Sequence, residues 1–156
     1  MKEGSPHWQS EQQENRLQQQ KREKLPPFTK RILILDDDPD ITFTFKKGFE
    51  EANRINGNKL FFHINTYNDP LVVLSEFKPD YYDLMLVDIN MPQMNGFDFC
   101  EKILEIDVNP RICFMSSGLI NQEALREQYP SLGIGCVIKK TVSIDSLIKR
   151  VKSELG

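Results

Sequence analysis

The chain has no uninterrupted apolar run approaching the roughly 18–20 residues that a helix needs to cross a bilayer, and no apolar signal core at its N-terminus. Cytoplasmic residence is expected. It has three cysteines, Cys100, Cys113 and Cys136, an odd set without metal-ligand spacing. Each lies among apolar neighbours, so reduced core thiols are expected rather than a disulfide framework. It also lacks a charge surplus: a net −3 exerts no global pull toward nucleic acid or anionic membrane. No internal repeat is visible. What is present is ordinary globular material, 39% hydrophobic with ten phenylalanines, in 156 residues. That length suits one domain with a real core.

The charge is unevenly spread. Residues 1–30 carry six basic and four acidic groups, +2, and the remaining 126 carry fourteen and nineteen, −5. Residues 1–27 are set apart by Gln9, Gln12, Gln13, Gln18, Gln19 and Gln20 and close on Pro26-Pro27. Before Leu25 only Trp8 and Leu17 are large and apolar. Such a segment buries too little surface to offset ordering. A disordered arm over residues 1–29 is expected, or a solvated helix over 10–24, since Glu, Gln, Arg and Lys form helices well. Residues 30–156 form the folded domain.

From Lys30 strand and helix signals alternate. Strands are expected at residues 32–35, 60–67, 84–87, 111–115 and 135–138, and helices at about 39–52, 70–77, 96–106, 121–128 and 143–154. Asp38 is a plausible N-cap with Pro39 at the first helical position. Asn68-Asp69-Pro70 caps the second helix, and residues 55–58 read as a turn. Five βα units predict an α/β fold, a doubly wound five-stranded parallel sheet with helices on both faces. The flavodoxin-like order 2-1-3-4-5 sets the first and third strands side by side.

Two of these strands end abruptly on acid: Ile32-Leu33-Ile34-Leu35 on Asp36-Asp37-Asp38, and Leu84-Met85-Leu86-Val87 on Asp88. As neighbours, they bring at least three carboxylates to the sheet edge where α/β proteins bind ligands. Like charges there repel, and a divalent metal relieves that. Ser116-Ser117-Gly118 follows the fourth strand and Lys139-Lys140-Thr141 the fifth. Three carboxylates and one ammonium leave −2, which one Mg²⁺ cancels.

These motifs in this order, "ILILDDDPD", "LMLVDINMPQMNGF", "CFMSSG" and "VIKKT", resemble those of the response regulator receiver domain of two-component signalling. The resemblance implies that Asp88 accepts a phosphoryl group from a histidine kinase or phosphotransfer protein. It implies direct Mg²⁺ ligation by Asp37, Asp88 and the backbone carbonyl of Asn90, with Asp36 helping through water. Lys140 would pair with Asp88 before reaction and with a phosphoryl oxygen afterwards, and the Ser116 hydroxyl would bind another oxygen. The chemistry needs such a set, because phosphoryl transfer is catalysed by positioning and charge stabilisation.

Thr141 stands where the family usually has proline, and Val137 where it often has an aromatic switch residue. Asn90 and Gly118 flank the path of hydrolytic water, and Gly118 is free to take positive φ. No output domain follows the fifth helix, so a non-enzymatic switch acting on an unknown protein target is expected. Its surface would be helix 4, strand 5 and helix 5, which could also form a homodimer. A pseudo-receiver scaffold is the alternative. A haloacid-dehalogenase-like phosphatase would use Asp36 and Asp38, but Pro39-Asp40 follows instead of a small residue and threonine, and Asp88 would lack a role.

Overall fold

The computed structural model describes residues 25–26, 28–56 and 60–156, with the side chain of Asn56 excepted. The expected arm therefore lies almost wholly outside the described residues. Five strands, β1 (Thr29–Leu35), β2 (Phe61–Tyr67), β3 (Leu84–Asp88), β4 (Arg111–Ser116) and β5 (Val137–Lys139), alternate with five α-helices. The helices are α1 (Pro39–Asn56), α2 (Pro70–Glu76), α3 (Gly96–Ile106), α4 (Gln122–Gln128) and α5 (Ile144–Leu155), with a 3₁₀ turn at Pro130–Leu132. The strands form one parallel sheet in the order β2-β1-β3-β4-β5, as the sequence predicts.

Local chemistry sets the helix starts. Asp38 accepts from the Asp40 amide at 2.9 Å, with Pro39 at the first helical position where its missing N–H costs nothing. Asp69, Asn95, Asn121 and Ser143 cap α2, α3, α4 and α5 in the same way. Some boundaries differ from the sequence reading. Ile55 and Asn56 continue α1 instead of turning; Ile55 is exposed, and the last turn is tied down by Asn53, whose side chain donates to the Phe62 carbonyl at 2.8 Å and accepts from the Phe62 amide at 2.7 Å. Strand β5 is shorter and starts at Val137.

Two apolar layers sandwich the sheet. On one face Phe45 and Phe49 of α1 and Leu147, Ile148 and Val151 of α5 pack on Ile32, Ile34, Leu84, Leu86 and Met115. On the other, Val73, Phe97, Phe99, Cys100 and Ile103 cover Leu33, Leu35, Met85, Val87 and Phe114. Strand β3 is buried throughout, hence its unbroken apolar run. Among the described residues, no helix is long and apolar enough to cross a membrane.

The expectation of three reduced thiols is corrected. Cys100 is free and buried, but Cys113 and Cys136 are joined as a disulfide. The register explains the pairing. Phe114 lies opposite Val137, so the preceding residues lie side by side on one face, with Cα atoms 4.7 Å apart, the spacing of neighbouring strands. Protein isolated without reductant and then denatured should alkylate at one cysteine by intact mass, and at three after reduction. Three modifications without reduction would contradict the link.

Candidate functional site

The C-terminal edge of the sheet gathers the acidic residues because β1 and β3 are paired in register, Leu35 opposite Val87. The residues that follow, Asp36 and Asp88, are therefore neighbours. Both are buried, at 0% and 2% exposure, while Asp37 is exposed. One carboxylate oxygen from each of Asp36, Asp37 and Asp88 lies within 4.8 Å of the others. Strand β5 delivers the counter-charge. The Lys140 amide donates to the Ser116 carbonyl at 2.8 Å, extending the β4–β5 ladder. Its Nζ then reaches Asp88 Oδ1 at 2.9 Å and Asp36 Oδ2 at 3.0 Å. Lys139 is exposed. No described peptide bond is cis, so the Lys140–Thr141 bond is trans.

Charge and burial compete here. Burial pushes the Asp88 carboxyl up to about 6; the Lys140 hydrogen bond opposes this, while Asp37 and Asp36 add to it. Burial alone would lower Lys140, but its bonds to Asp88 and Asp36 outweigh that and hold it above the ordinary lysine range. Asp88 Oδ1 also accepts from the Asn90 amide at 3.3 Å. Asp88 Oδ2, buried, has no hydrogen-bond partner among the described residues. A buried carboxylate oxygen left unpaired is costly. Such an atom beside two more carboxylates and a single ammonium fits a small hard cation with oxygen ligands.

Ser116 is buried but turned toward its own loop. Its hydroxyl donates to the Gly118 carbonyl at 2.7 Å and accepts from the Gly118 amide at 3.1 Å. Gly118, free to take positive φ, does not do so here; what distinguishes it is open space, with nothing within 4 Å of where a Cβ would stand. Gly96 is constrained in the opposite sense. A Cβ there would run into the Asp88 carbonyl oxygen, so only glycine lets α3 approach the end of β3. Val137, half-buried, packs against the second apolar layer. In that layer Phe97 stacks on Tyr129 at 5.0 Å and meets Phe114 at 4.7 Å.

The sequence reading missed one side chain at this edge. Asn68 was grouped with Asp69 as a helix cap, but only Asp69 caps α2. The Asn68 amide turns to the Asp36 carbonyl at 2.8 Å and to the Thr42 hydroxyl at 3.1 Å. The signal was two candidate caps in succession before Pro70, of which a helix needs one.

Comparison with known proteins places the matches over this unit. The family described as the response regulator receiver domain matches residues 32–152. The chemotaxis protein CheY of Thermotoga maritima is 30% identical over 62% of this chain and 72% of its own length. The response regulator receiver protein CpdR of Brucella abortus is 28% identical over 56% of this chain and 66% of its own. The sensor protein EvgS of Escherichia coli K12 is 28% identical over 74% of this chain, which spans 9% of EvgS. Among solved structures, the receiver domain of HemR from Leptospira biflexa aligns with a TM-score of 0.67 at 23% identity, over 81% of this chain and 94% of its own. Vibrio cholerae CheY4 aligns with a TM-score of 0.65 at 17%, over 80% and 98%. These structural likenesses show the fold.

The raised Asp88 carboxyl has a stability consequence of definite sign. A carboxyl whose folded pKa exceeds its unfolded value favours the protonated folded state, so its contribution is lost as pH rises through about 6. Without divalent cations, Asp88→Asn should therefore be more stable than the parent at pH 7.5, by about 1–3 kcal/mol. The gain should shrink as pH falls from 6 toward 4. Denaturant melts at several pH values measure this; a pH-independent difference would contradict burial as the cause.

Proposed function

The chain belongs to the response regulator receiver domain family, and from that premise we propose that it is a phosphoacceptor switch with Asp88 as the acceptor. The carrying observation is the ionic cluster at the sheet edge, in which Lys140 bridges Asp88 and Asp36 while Asp88 Oδ2 stays unpartnered. In the forward step an Asp88 carboxylate oxygen attacks the phosphorus of a phosphohistidine on a histidine kinase or phosphotransfer protein. A P–O bond forms, the P–N bond breaks, and the imidazole leaves with the bonding pair. Asp37, Asp88 and the Asn90 carbonyl would hold Mg²⁺, with Asp36 acting through water. Bound there, Mg²⁺ supplies positive charge to the transferring phosphoryl oxygens.

Lys140 follows the charge. It pairs with Asp88 beforehand and moves to a phosphoryl oxygen once that carboxylate has become an acyl phosphate. The Ser116 hydroxyl, held on Gly118, leaves that carbonyl to donate to a second phosphoryl oxygen, which frees the β4–α4 loop. This links the chemistry to the α4–β5–α5 surface, where an unidentified protein target, or a second copy of the chain, would read the change. A coupling of about 1–3 kcal/mol suffices. The chain acts as a cytoplasmic switch and not as a turnover enzyme. The similarity to the sensor protein EvgS supports a two-component setting.

Two measurements test this reading. Incubation with Mg²⁺ and a small acyl phosphate should add one phosphoryl mass, abolished by Asp88→Asn. Separately, in calorimetry Asp37→Ala should weaken Mg²⁺ binding far more than Asp38→Ala, because Asp38 is spent on the α1 cap. Equal labelling of Asp88→Asn, as a scaffold or another acceptor would give, refutes the assignment.

The phosphorylated lifetime follows from access. With Asn90 and an open Gly118 beside the phosphoryl position, and no added acid or base, a lifetime on the order of minutes is expected, a barrier of roughly 20 kcal/mol. Gly118→Leu has room for its Cβ and should lengthen the lifetime without a matching loss of Mg²⁺ affinity. Unchanged phosphate loss would show that access at Gly118 does not set it.

A further inference from the structure

Resting on the phosphoacceptor reading, we propose that Asn68 is a positioning residue for the acidic turn. Its amide clamps the backbone of residues 36–42, so that the carboxylates of Asp36 and Asp37 are held toward Asp88 and the divalent cation.

The geometry is a brace between two turns. Asp36 donates its backbone amide to the Tyr67 carbonyl at 3.1 Å, one step beyond the last β1–β2 pair. Its own carbonyl accepts from Asn68 Nδ2 at 2.8 Å. Both backbone polar groups of Asp36 are thus tied to residues 67 and 68. The same Nδ2 donates to Thr42 Oγ1 at 3.1 Å, in the first turn of α1. Thr42, buried at 3% exposure, donates its hydroxyl to the Pro39 carbonyl at 3.1 Å. One amide therefore closes the acidic turn at both ends.

The clamp has a physical task. Three carboxylates within 4.8 Å repel, and among the described residues one positive charge, Lys140, faces them before a cation binds, helped by the Asp38 and Asn90 backbone amides. A turn free to splay would relieve that repulsion by moving Asp36 and Asp37 apart, and the cation would have to regather them. Holding the ligands before binding removes that reorganisation from the affinity. Asn68 is available for this because Asp69 supplies the α2 cap, so the side chain is not needed to start the helix.

The test compares the full-length parent with Asn68→Ala, Thr42→Val and the double variant. Mg²⁺ affinity is measured by calorimetry, stability by metal-free melts, and acyl phosphate labelling as a function of Mg²⁺. Asn68→Ala should weaken Mg²⁺ binding about tenfold, the scale of losses when groups supporting metal ligands are removed. The Mg²⁺ giving half-maximal labelling should rise by the same factor, with the rate at saturating Mg²⁺ near the parent's. Thr42→Val should shift both in the same direction by less. The double variant should be no weaker than Asn68→Ala, since both cut one brace. A lower melting temperature with unchanged Mg²⁺ affinity overturns the clamp, as does a lost maximal rate without an affinity shift. Should Asn68→Ala not fold, Thr42→Val carries the same readout. A parent that binds Mg²⁺ but takes no phosphate defeats the phosphoacceptor reading alone, and the calorimetric comparison still decides the clamp; a parent that binds no Mg²⁺ overturns both.

Discussion

The structure depends on one unequal ionic contact. A single ammonium, Lys140, stands between two buried carboxylates, with Asp37 close by. Taking charges out of water is expensive, and the mutual attraction of a buried pair often fails to recover the cost. Here the cluster is also short of positive charge, and its imbalance shows in the raised Asp88 carboxyl and its unpartnered oxygen. The stabilising work lies elsewhere, in the two apolar layers that grip the sheet. The site is held in an unfavourable state by a fold stable enough to hold it, and that deficit is what a divalent cation would relieve.

The surroundings divide between rigid parts and releasable ones. Gly96 allows α3 to press on the Asp88 carbonyl, and the Asn90 amide and Lys140 orient its carboxylate. The acidic turn is pinned from β2 through Tyr67 and Asn68. By contrast, the β4–α4 loop is held near Ser116 by hydrogen bonds to the serine hydroxyl, a group with one proton to give. Under the proposed function that proton has two acceptors in competition, the Gly118 carbonyl and a phosphoryl oxygen. The usual aromatic on β5 is Val137, whose stiff branched side chain cannot swing as a ring does. Phe97 stacks on Tyr129 and meets Phe114 at a tilt; under the proposed function, movement of the loop carries the change from site to surface.

The sequence by itself determined the fold class, the strand order and the acids at two strand ends. These are short-range signals: apolar runs bounded by turn residues, and caps such as Asp38 and Ser143 that act within three residues. Parallel strands covered on both faces need unbroken apolar segments, and β1 and β3 announce themselves that way. Only the tertiary structure decided how distant groups meet. Strand register, not spacing in the chain, set Cys113 against Cys136 and gave Lys140 two carboxylates instead of one. It turned Asn68 away from the helix it precedes and toward Asp36, and turned the Ser116 hydroxyl toward Gly118. Local propensity speaks only for neighbours along the chain, whereas a side chain's hydrogen-bond partner is settled by whatever packing brings within about 3 Å of it.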